Sequence, residues 1–149
     1  MAAVTASLAA GLVAMAGPES PDDVDALRRR AAALADEDAA AYSEVVQARR
    51  AGASVTDALT RATEVPLEIA ATAAEIARCA AEVFVTGRSS IRGDVRTALL
   101  LAEAATCSAA YLVEINVEAG GGTRELVERV RAHVDDARVA RERTAGLSS

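Results

Sequence analysis

Residues 95–117 read VRTALLLAEAATCSAAYLVEINV, and this stretch decides the fold. Its apolar side chains recur at helical spacing and cover most of the circumference of a helix, which leaves few positions for solvent. Asp94 in front of the stretch and Gly120-Gly121-Gly122 behind it are signals for the start and the end of a helix. We therefore predict one long helix that is either central in the fold or buried at a subunit interface.

The rest of the chain also has the composition of a helical protein. Of the 149 residues, 38 are alanine and three are proline, and alanine loses the least side-chain entropy in a helix. We predict an all-α fold, a bundle of about five helices in a single domain over 1–149. The other predicted helices cover residues 2–16, about 21 to Gly52, Ser54 to Gly87 with a break or kink at Pro66, and a last helix after Thr123.

Charge and composition exclude several classes of function. The net charge is −6, and all 16 basic residues are arginine, so no lysine is present for a phosphate loop or a Schiff base. An acidic chain with three aromatic residues is unsuited to binding nucleic acid. We predict no membrane span, because Glu103 interrupts the longest apolar run.

The cysteines and the first apolar segment indicate a cytoplasmic protein. Cys79 and Cys107 lie far apart without the spacing of a disulfide framework or a zinc site. Ala14-Met15-Ala16 imitates a signal-peptidase site, but the segment before it lacks the positive start of a secretory signal. The segment is therefore predicted to be a buried first helix.

Three segments in order resemble the cyclodeaminase/cyclohydrolase family of folate enzymes, which includes the C-terminal domain of formiminotransferase-cyclodeaminase and the methenyltetrahydrofolate cyclohydrolases. They are residues 36–42 (DEDAAAY), residues 62–70 (ATEVPLEIA), and Gly87 followed by Gly93-Asp94 and a long apolar helix that ends in Asn116. The similarity runs over nearly the whole chain. The ATEVPL segment is its most specific part.

The resemblance implies a helical homodimer with sites near the subunit boundary and one-carbon chemistry on a tetrahydrofolate derivative without a metal. The reaction is either hydrolysis of methenyltetrahydrofolate to formyltetrahydrofolate or cyclisation of formiminotetrahydrofolate with loss of ammonia. The chain differs from the family pattern in two ways. It begins inside the family's alanine-rich helix, without the family's first helix and glycine-rich loop, and it has Gly93 where the family has a serine. Two explanations are open: either the start codon is misassigned, or the protein is a shortened homologue that has lost catalysis and acts as a helical dimer or a folate-binding module.

Asp94 is the predicted catalytic residue, since the family motif has an aspartate at this position. A methenyl-folate carries an amidinium cation, and a nearby carboxylate can stabilise it and take the proton from the attacking water. The alternative is that Asp94 is only the N-cap of the long helix.

Predicted substrate-binding residues surround this motif. Arg88, Arg92 and Arg96 lie in or beside the same loop and could bind the glutamate carboxylates of a folate, although each could equally be a solvated surface residue. Asp38 lies one turn before Tyr42 in a segment that matches the family, and Asp36 is assigned to the same polar patch, which could also be a solvated edge. His133 has no partner at a ligand spacing and is predicted to be a surface residue.

Overall fold

The structure is a computed structural model that describes residues 1–15 and 23–145. In these ranges the chain forms five α-helices and one short 3-10 helix, with no strand, so the predicted all-α bundle is confirmed. The helices are α1 (Ala2–Ala14), α2 (Asp23–Ala51), α3 (Thr56–Thr86), α4 (Arg92–Glu118) and α5 (Arg124–Ala145), and the 3-10 turn Ser89–Ile91 precedes α4. The predicted start signal at Ser20-Pro21 and the predicted end of the first helix lie outside the described residues.

α3 and α4 form the centre of the bundle. They make the most extensive contact with each other, while α1 packs on α2 and α4, and α5 packs on α3 and α4. The predicted apolar face of α3 is buried, including Ile69, Ile76, Val83 and Phe84. In α4 nine residues are buried, so its predicted central position is confirmed.

Within the described ranges, one segment, Ser89–Glu118, is long and apolar enough to cross a membrane by length and composition. The core helix of a bundle passes the same test, and α4 packs against three other helices. Glu103, the charge within its apolar run, pairs with Arg141 of α5 at 2.6 Å. The composition of α4 therefore reflects its central place between its neighbours.

Two helix boundaries differ from the prediction. Of the break or kink predicted at Pro66, the break does not occur: α3 continues from Thr56 to Thr86, because the carbonyl that proline leaves unpaired finds a donor on α4. α4 begins at Arg92, two residues before the predicted Asp94, because the 3-10 turn in front of it leads directly into the helix.

Glycines end α2 and α4 as predicted. At the end of α4, Gly120 has a φ of +97° and its N–H donates to Val117, while the N–H of Gly121 donates to the Asn116 carbonyl at 2.8 Å. This pair of bonds is a Schellman motif, which a glycine in the left-handed region makes without strain. α2 ends in the same way at Gly52, whose φ is +64°.

Candidate functional site

Asn116 connects two of the three sequence segments that carry the family resemblance. Pro66 has no N–H, so the carbonyl of Ala62, four residues earlier, has no donor within α3. The side-chain amide of Asn116, near the end of α4, donates a 2.5 Å hydrogen bond to that carbonyl. The ATEVPL segment and the C-terminal end of α4 are therefore tied together at one point.

Gly121 holds the same two elements close. It is buried, and a Cβ atom placed on it would lie 2.5 Å from Thr63 Oγ1 and 2.6 Å from the Leu59 carbonyl oxygen. The turn after α4 thus passes directly over the N-terminal half of α3, where only a glycine fits.

A cavity of about 330 Å³ opens beside this junction, between α2, α3 and α4. Four polar side chains line it: Asp38 and Tyr42 from one turn of α2, Arg49 further along α2, and Asn116 from α4. The apolar part of its wall comes from Val45, Leu59, Ala62, Pro66, Leu112, Ile115 and Ala119. Apolar walls with a few convergent polar groups are typical of small-molecule sites, and this volume is at the small end of their range.

The acidic segment of α2 contributes Asp38 and Tyr42 to the cavity but not Asp36. Residues four apart share one face of a helix, whereas residues two apart point to different sides. Asp38 is half-buried at the cavity wall, while Asp36 is exposed and does not line the cavity. The interpretation that all three residues form one polar patch is wrong for Asp36.

α2 is attached to α3 by a charged cluster near its middle. Arg30 donates to Glu37 of its own helix at 2.5 Å and to Glu68 of α3 at 2.6 Å. The hydrogen bond from Arg30 holds the pKa of Glu37 below its usual range, and its two carboxylate partners raise the pKa of Arg30. The cluster helps to fix the spacing of the two helices that carry Asp38 and Pro66.

Asp94 lies on the first turn of α4 and is exposed. It is the third residue of the helix, and the residue at the N-cap position is Ile91, which makes no side-chain capping bond. The alternative interpretation of Asp94 as the N-cap is therefore wrong, because α4 begins earlier than the aspartate. A carboxylate in the first helical turn is stabilised by the positive end of the helix dipole.

The three arginines stay grouped around Asp94. The guanidinium of Arg92 lies over the ring of the buried Phe84, with 5.6 Å between its central carbon and the ring centroid, which holds the start of α4 against the end of α3. Arg88 precedes the 3-10 turn, Arg96 lies on the second turn of α4, and both are exposed. These are the arginines that the loop sequence assigns to the binding of folate carboxylates, and that assignment stays a prediction.

The candidate residues thus form two groups at opposite ends of α4. Asp94 and Asn116 are 22 residues apart on one helix, which corresponds to about 33 Å. Asp38 lies at the cavity next to Asn116, whereas Asp94 and the arginines lie at the other end. Within one chain, the structure does not bring the predicted catalytic carboxylate to the cavity.

Sequence reasoning did not assign Arg49, Pro66 and Asn116 to a site. A proline inside a strongly helical segment leaves one carbonyl unpaired, and a lone amide side chain near the end of an apolar helix can supply the donor. The proline within α3 and the asparagine near the end of α4 together were the sequence signal that could have predicted the contact between these two helices. His133 lies half-buried in a separate groove with Glu64 and Glu68, and within the described ranges no cluster of three residues is suited to a metal ion.

Comparison with known proteins agrees with this architecture. The family model described as formiminotransferase-cyclodeaminase matches residues 18–136, and the chain therefore belongs to this family. The structure resembles the crystal structure of formiminotetrahydrofolate cyclodeaminase from Thermotoga maritima, with a TM-score of 0.89 and 17% sequence identity. The similarity covers 98% of this chain and 84% of that one, and at this identity it shows a shared fold. A comparison with curated proteins gave no match.

Proposed function

We propose that the protein is a folate one-carbon enzyme. Its reaction is the hydrolysis of methenyltetrahydrofolate to formyltetrahydrofolate, or the cyclisation of formiminotetrahydrofolate with loss of ammonia. The family match carries this proposal, because residues 18–136 include every candidate site residue. The name of the relative from Thermotoga maritima supports the second reaction.

The cavity suits one part of such a substrate. A reduced folate has a flat bicyclic head with N–H groups on its edge, joined through an aromatic ring to glutamate carboxylates. The carboxylate of Asp38 can accept hydrogen bonds from the head, and the apolar wall around Pro66 and Leu112 can pack on its face. Because Asp94 and the arginines lie about 33 Å along α4 from the cavity of the same chain, the arginines of a second copy would bind the carboxylates of the tail as charge-assisted pairs.

Asp94 is the proposed catalytic carboxylate. In the hydrolysis, water adds to the methenyl carbon and gives one proton to Asp94, and one of the two C–N bonds of that carbon then breaks as the remaining hydroxyl proton passes to the departing nitrogen, which leaves a formyl group and an amine. In the cyclisation, the amine that links the head to the aromatic ring adds to the carbon of the protonated formimino group, its proton passes to the nitrogen of that group, and ammonia leaves. The hydrolysis starts from the methenyl cation and the cyclisation ends with it. A nearby carboxylate stabilises this cation in both reactions.

Gly93 favours a second candidate function, a non-catalytic folate-binding homologue. A Cβ atom at Gly93 would meet nothing within 4 Å, so packing does not require a glycine there. Packing therefore does not explain why this chain has a glycine at the position where the family has a serine. If the hydroxyl takes part in the chemistry, Gly93→Ser should raise the activity, whereas a binding module should show folate binding with no turnover in either form.

We further propose a homodimer in a reducing, cytoplasmic environment. Both cysteines are free, and large apolar side chains of the central helix remain exposed: Leu100, Tyr111 and Ile115. Clusters of exposed apolar residues commonly mark interaction sites.

The test of the enzymatic function is Asp94→Asn, with Asp57→Asn as the matched control. Asp57 is also an acidic residue in the first turn of a helix and is exposed, so both changes should lower stability by about the same amount, roughly 0.3–1 kcal/mol. We expect the rate of loss of methenyl-folate absorbance to fall by roughly two to four orders of magnitude in Asp94→Asn alone. Equal rates in the two variants, above the uncatalysed background, would remove Asp94 from the mechanism.

A further inference from the structure

The face of α2 that lines the cavity changes from acidic to basic along its length. Asp38, Tyr42, Val45 and Arg49 all line the cavity, and they follow one another at the spacings of three and four residues that keep side chains on one face of a helix. Asp38 and Arg49 are 11 residues apart, so about three helical turns return them to the same side at a separation of about 16.5 Å along the axis. The α2 side of the cavity therefore has a carboxylate at one end and a guanidinium at the other.

Both charged groups of the cavity wall lack a protein partner. Within residues 1–15 and 23–145, neither the side chain of Asp38 nor that of Arg49 makes a hydrogen bond or an ion pair. The two are also too far apart to pair with each other, since an ion pair needs its atoms within about 4 Å. Arg30 of the same helix, by contrast, has two carboxylate partners. Two unpaired charges of opposite sign in one cavity indicate a ligand that carries the complementary groups.

The wall between the two charges is apolar and aromatic. Tyr42 lies one turn after Asp38 and is exposed, while the buried Val45 lies one turn before Arg49. Pro66 of α3 adds further apolar surface to the same cavity. Flat aromatic groups bind well against surfaces of this kind. Along α2 the cavity thus offers a carboxylate, an aromatic and apolar middle, and a guanidinium, in this order.

A reduced folate carries the complementary groups in the same order. Its head has N–H donors on its edge, its middle is an aromatic ring, and its first glutamate carries carboxylates. In an extended folate the ring and its two linking groups separate the head from the first carboxylate, which is a span comparable to that between Asp38 and Arg49. This match rests on the proposed function, because it takes the ligand to be a folate.

We propose that Arg49 binds a carboxylate of the first glutamate and is a specificity-determining residue of the site. The substrate then lies along α2 with its head at Asp38 and its tail at Arg49. A guanidinium can donate two parallel hydrogen bonds to one carboxylate, which fixes the direction of the ligand as well as its affinity. The arginines near Asp94 are then left for glutamates beyond the first.

Arg50 provides the matched control for Arg49. Both residues lie in the last turn of α2 and are exposed, so both interact alike with the negative end of the helix dipole. Of the two, Arg49 alone lines the cavity. A difference between Arg49→Gln and Arg50→Gln therefore reports on the cavity, because the change in net charge and in helix stability is the same in both.

The test compares the binding of tetrahydrofolate and of tetrahydropteroate, the same molecule without its glutamate, by titration calorimetry of the full chain. We expect the parent to prefer tetrahydrofolate roughly tenfold, and we expect Arg49→Gln to lose this preference and Arg50→Gln to keep it. Added salt should reduce the preference, because the guanidinium is exposed. Circular dichroism checks that the variants keep their helices. A parent without the preference, or an Arg49→Gln protein that retains it, would overturn the role of Arg49.

Asp38→Asn tests the direction in which the ligand lies. Both ligands carry the head, so this variant should bind each of them more weakly by the same factor and keep the preference for tetrahydrofolate. A variant that instead loses the preference while its affinity for tetrahydropteroate is unchanged would place the glutamate at Asp38, and it would contradict the proposed direction.

Turnover separates the role of Arg49 from the proposed function. In an active parent, kcat/KM for methenyltetrahydrofolate should exceed that for methenyltetrahydropteroate by a similar factor, and Arg49→Gln should abolish the difference mainly through KM. An active parent that uses both substrates equally would refute the role of Arg49 and leave the enzymatic function intact. A parent that binds tetrahydrofolate with the expected preference but has no turnover would refute the enzymatic function and leave the role of Arg49 supported.

Discussion

Asn116 donates a 2.5 Å hydrogen bond from its side-chain amide to the carbonyl oxygen of Ala62, the group that Pro66 deprives of its partner within α3. A proline in a helix interior costs stability partly because it leaves this carbonyl unpaired. Here a second helix supplies the donor, so α3 passes through Pro66 without a break, and the same residues form one wall of the cavity.

Asn116→Ala should therefore lower the free energy of unfolding by about 1–3 kcal/mol, the cost of leaving a shielded carbonyl without a donor. In a Pro66→Ala background the helix regains its own N–H donor, and the same change should cost clearly less. Urea unfolding of the four proteins measures this coupling. Equal costs in both backgrounds would show that Asn116 does not compensate for the proline.

Gly121→Ala should destabilise the protein by about 1–3 kcal/mol, because its Cβ would collide with Thr63 and with the backbone oxygen of Leu59. Gly93→Ala is the matched control, since its Cβ would meet nothing within 4 Å and alanine favours the helix. Thermal unfolding should separate the two variants in opposite directions. An unchanged melting temperature for Gly121→Ala would contradict the close contact between the turn and α3.

Glu37 should titrate below its usual range because Arg30 donates to its carboxylate. Since the pKa is lower in the folded protein than in the unfolded chain, the stabilising contribution is present above the unfolded pKa. It is lost as the pH falls through the folded pKa. Carboxyl carbon shifts in an NMR titration should show the lowered pKa in the parent and a return toward the usual value in Arg30→Gln. Arg29→Gln, which removes a neighbouring exposed arginine, should leave it unchanged.

The two thiols should differ in reactivity. Burial raises the pKa of the Cys79 thiol, so the reactive thiolate is rare and shielded from reagents. Cys107 is exposed to solvent. In the folded protein we expect one thiol per chain to react rapidly with a disulfide reagent, and none after Cys107→Ser. Two rapidly reacting thiols in the folded protein would contradict the burial of Cys79.

The helices and their order could be predicted from the sequence because they depend on local signals. Apolar spacing, the alanine content and the glycines at 52 and 120 act within a few residues of chain, and the structure has the predicted helices with shifts of about two residues in the starts of α3 and α4. The site was less predictable. The resemblance assigned Asp94, the arginines and Asp38 to catalysis and substrate binding, but Asp94 lies about 33 Å along α4 from Asn116, which lines the cavity together with Asp38.

The sequence by itself determined the all-α fold, the family, and the chemical types of the candidate residues, because these follow from composition, periodicity and short motifs. Only the tertiary structure decided that Pro66 is tolerated, that Asp38 lines a cavity, and that Asp94 and this cavity lie at opposite ends of α4. The physical reason is that the donor to the Ala62 carbonyl and the wall of the cavity come from residues distant in the chain. Their relation exists only once the helices are packed together.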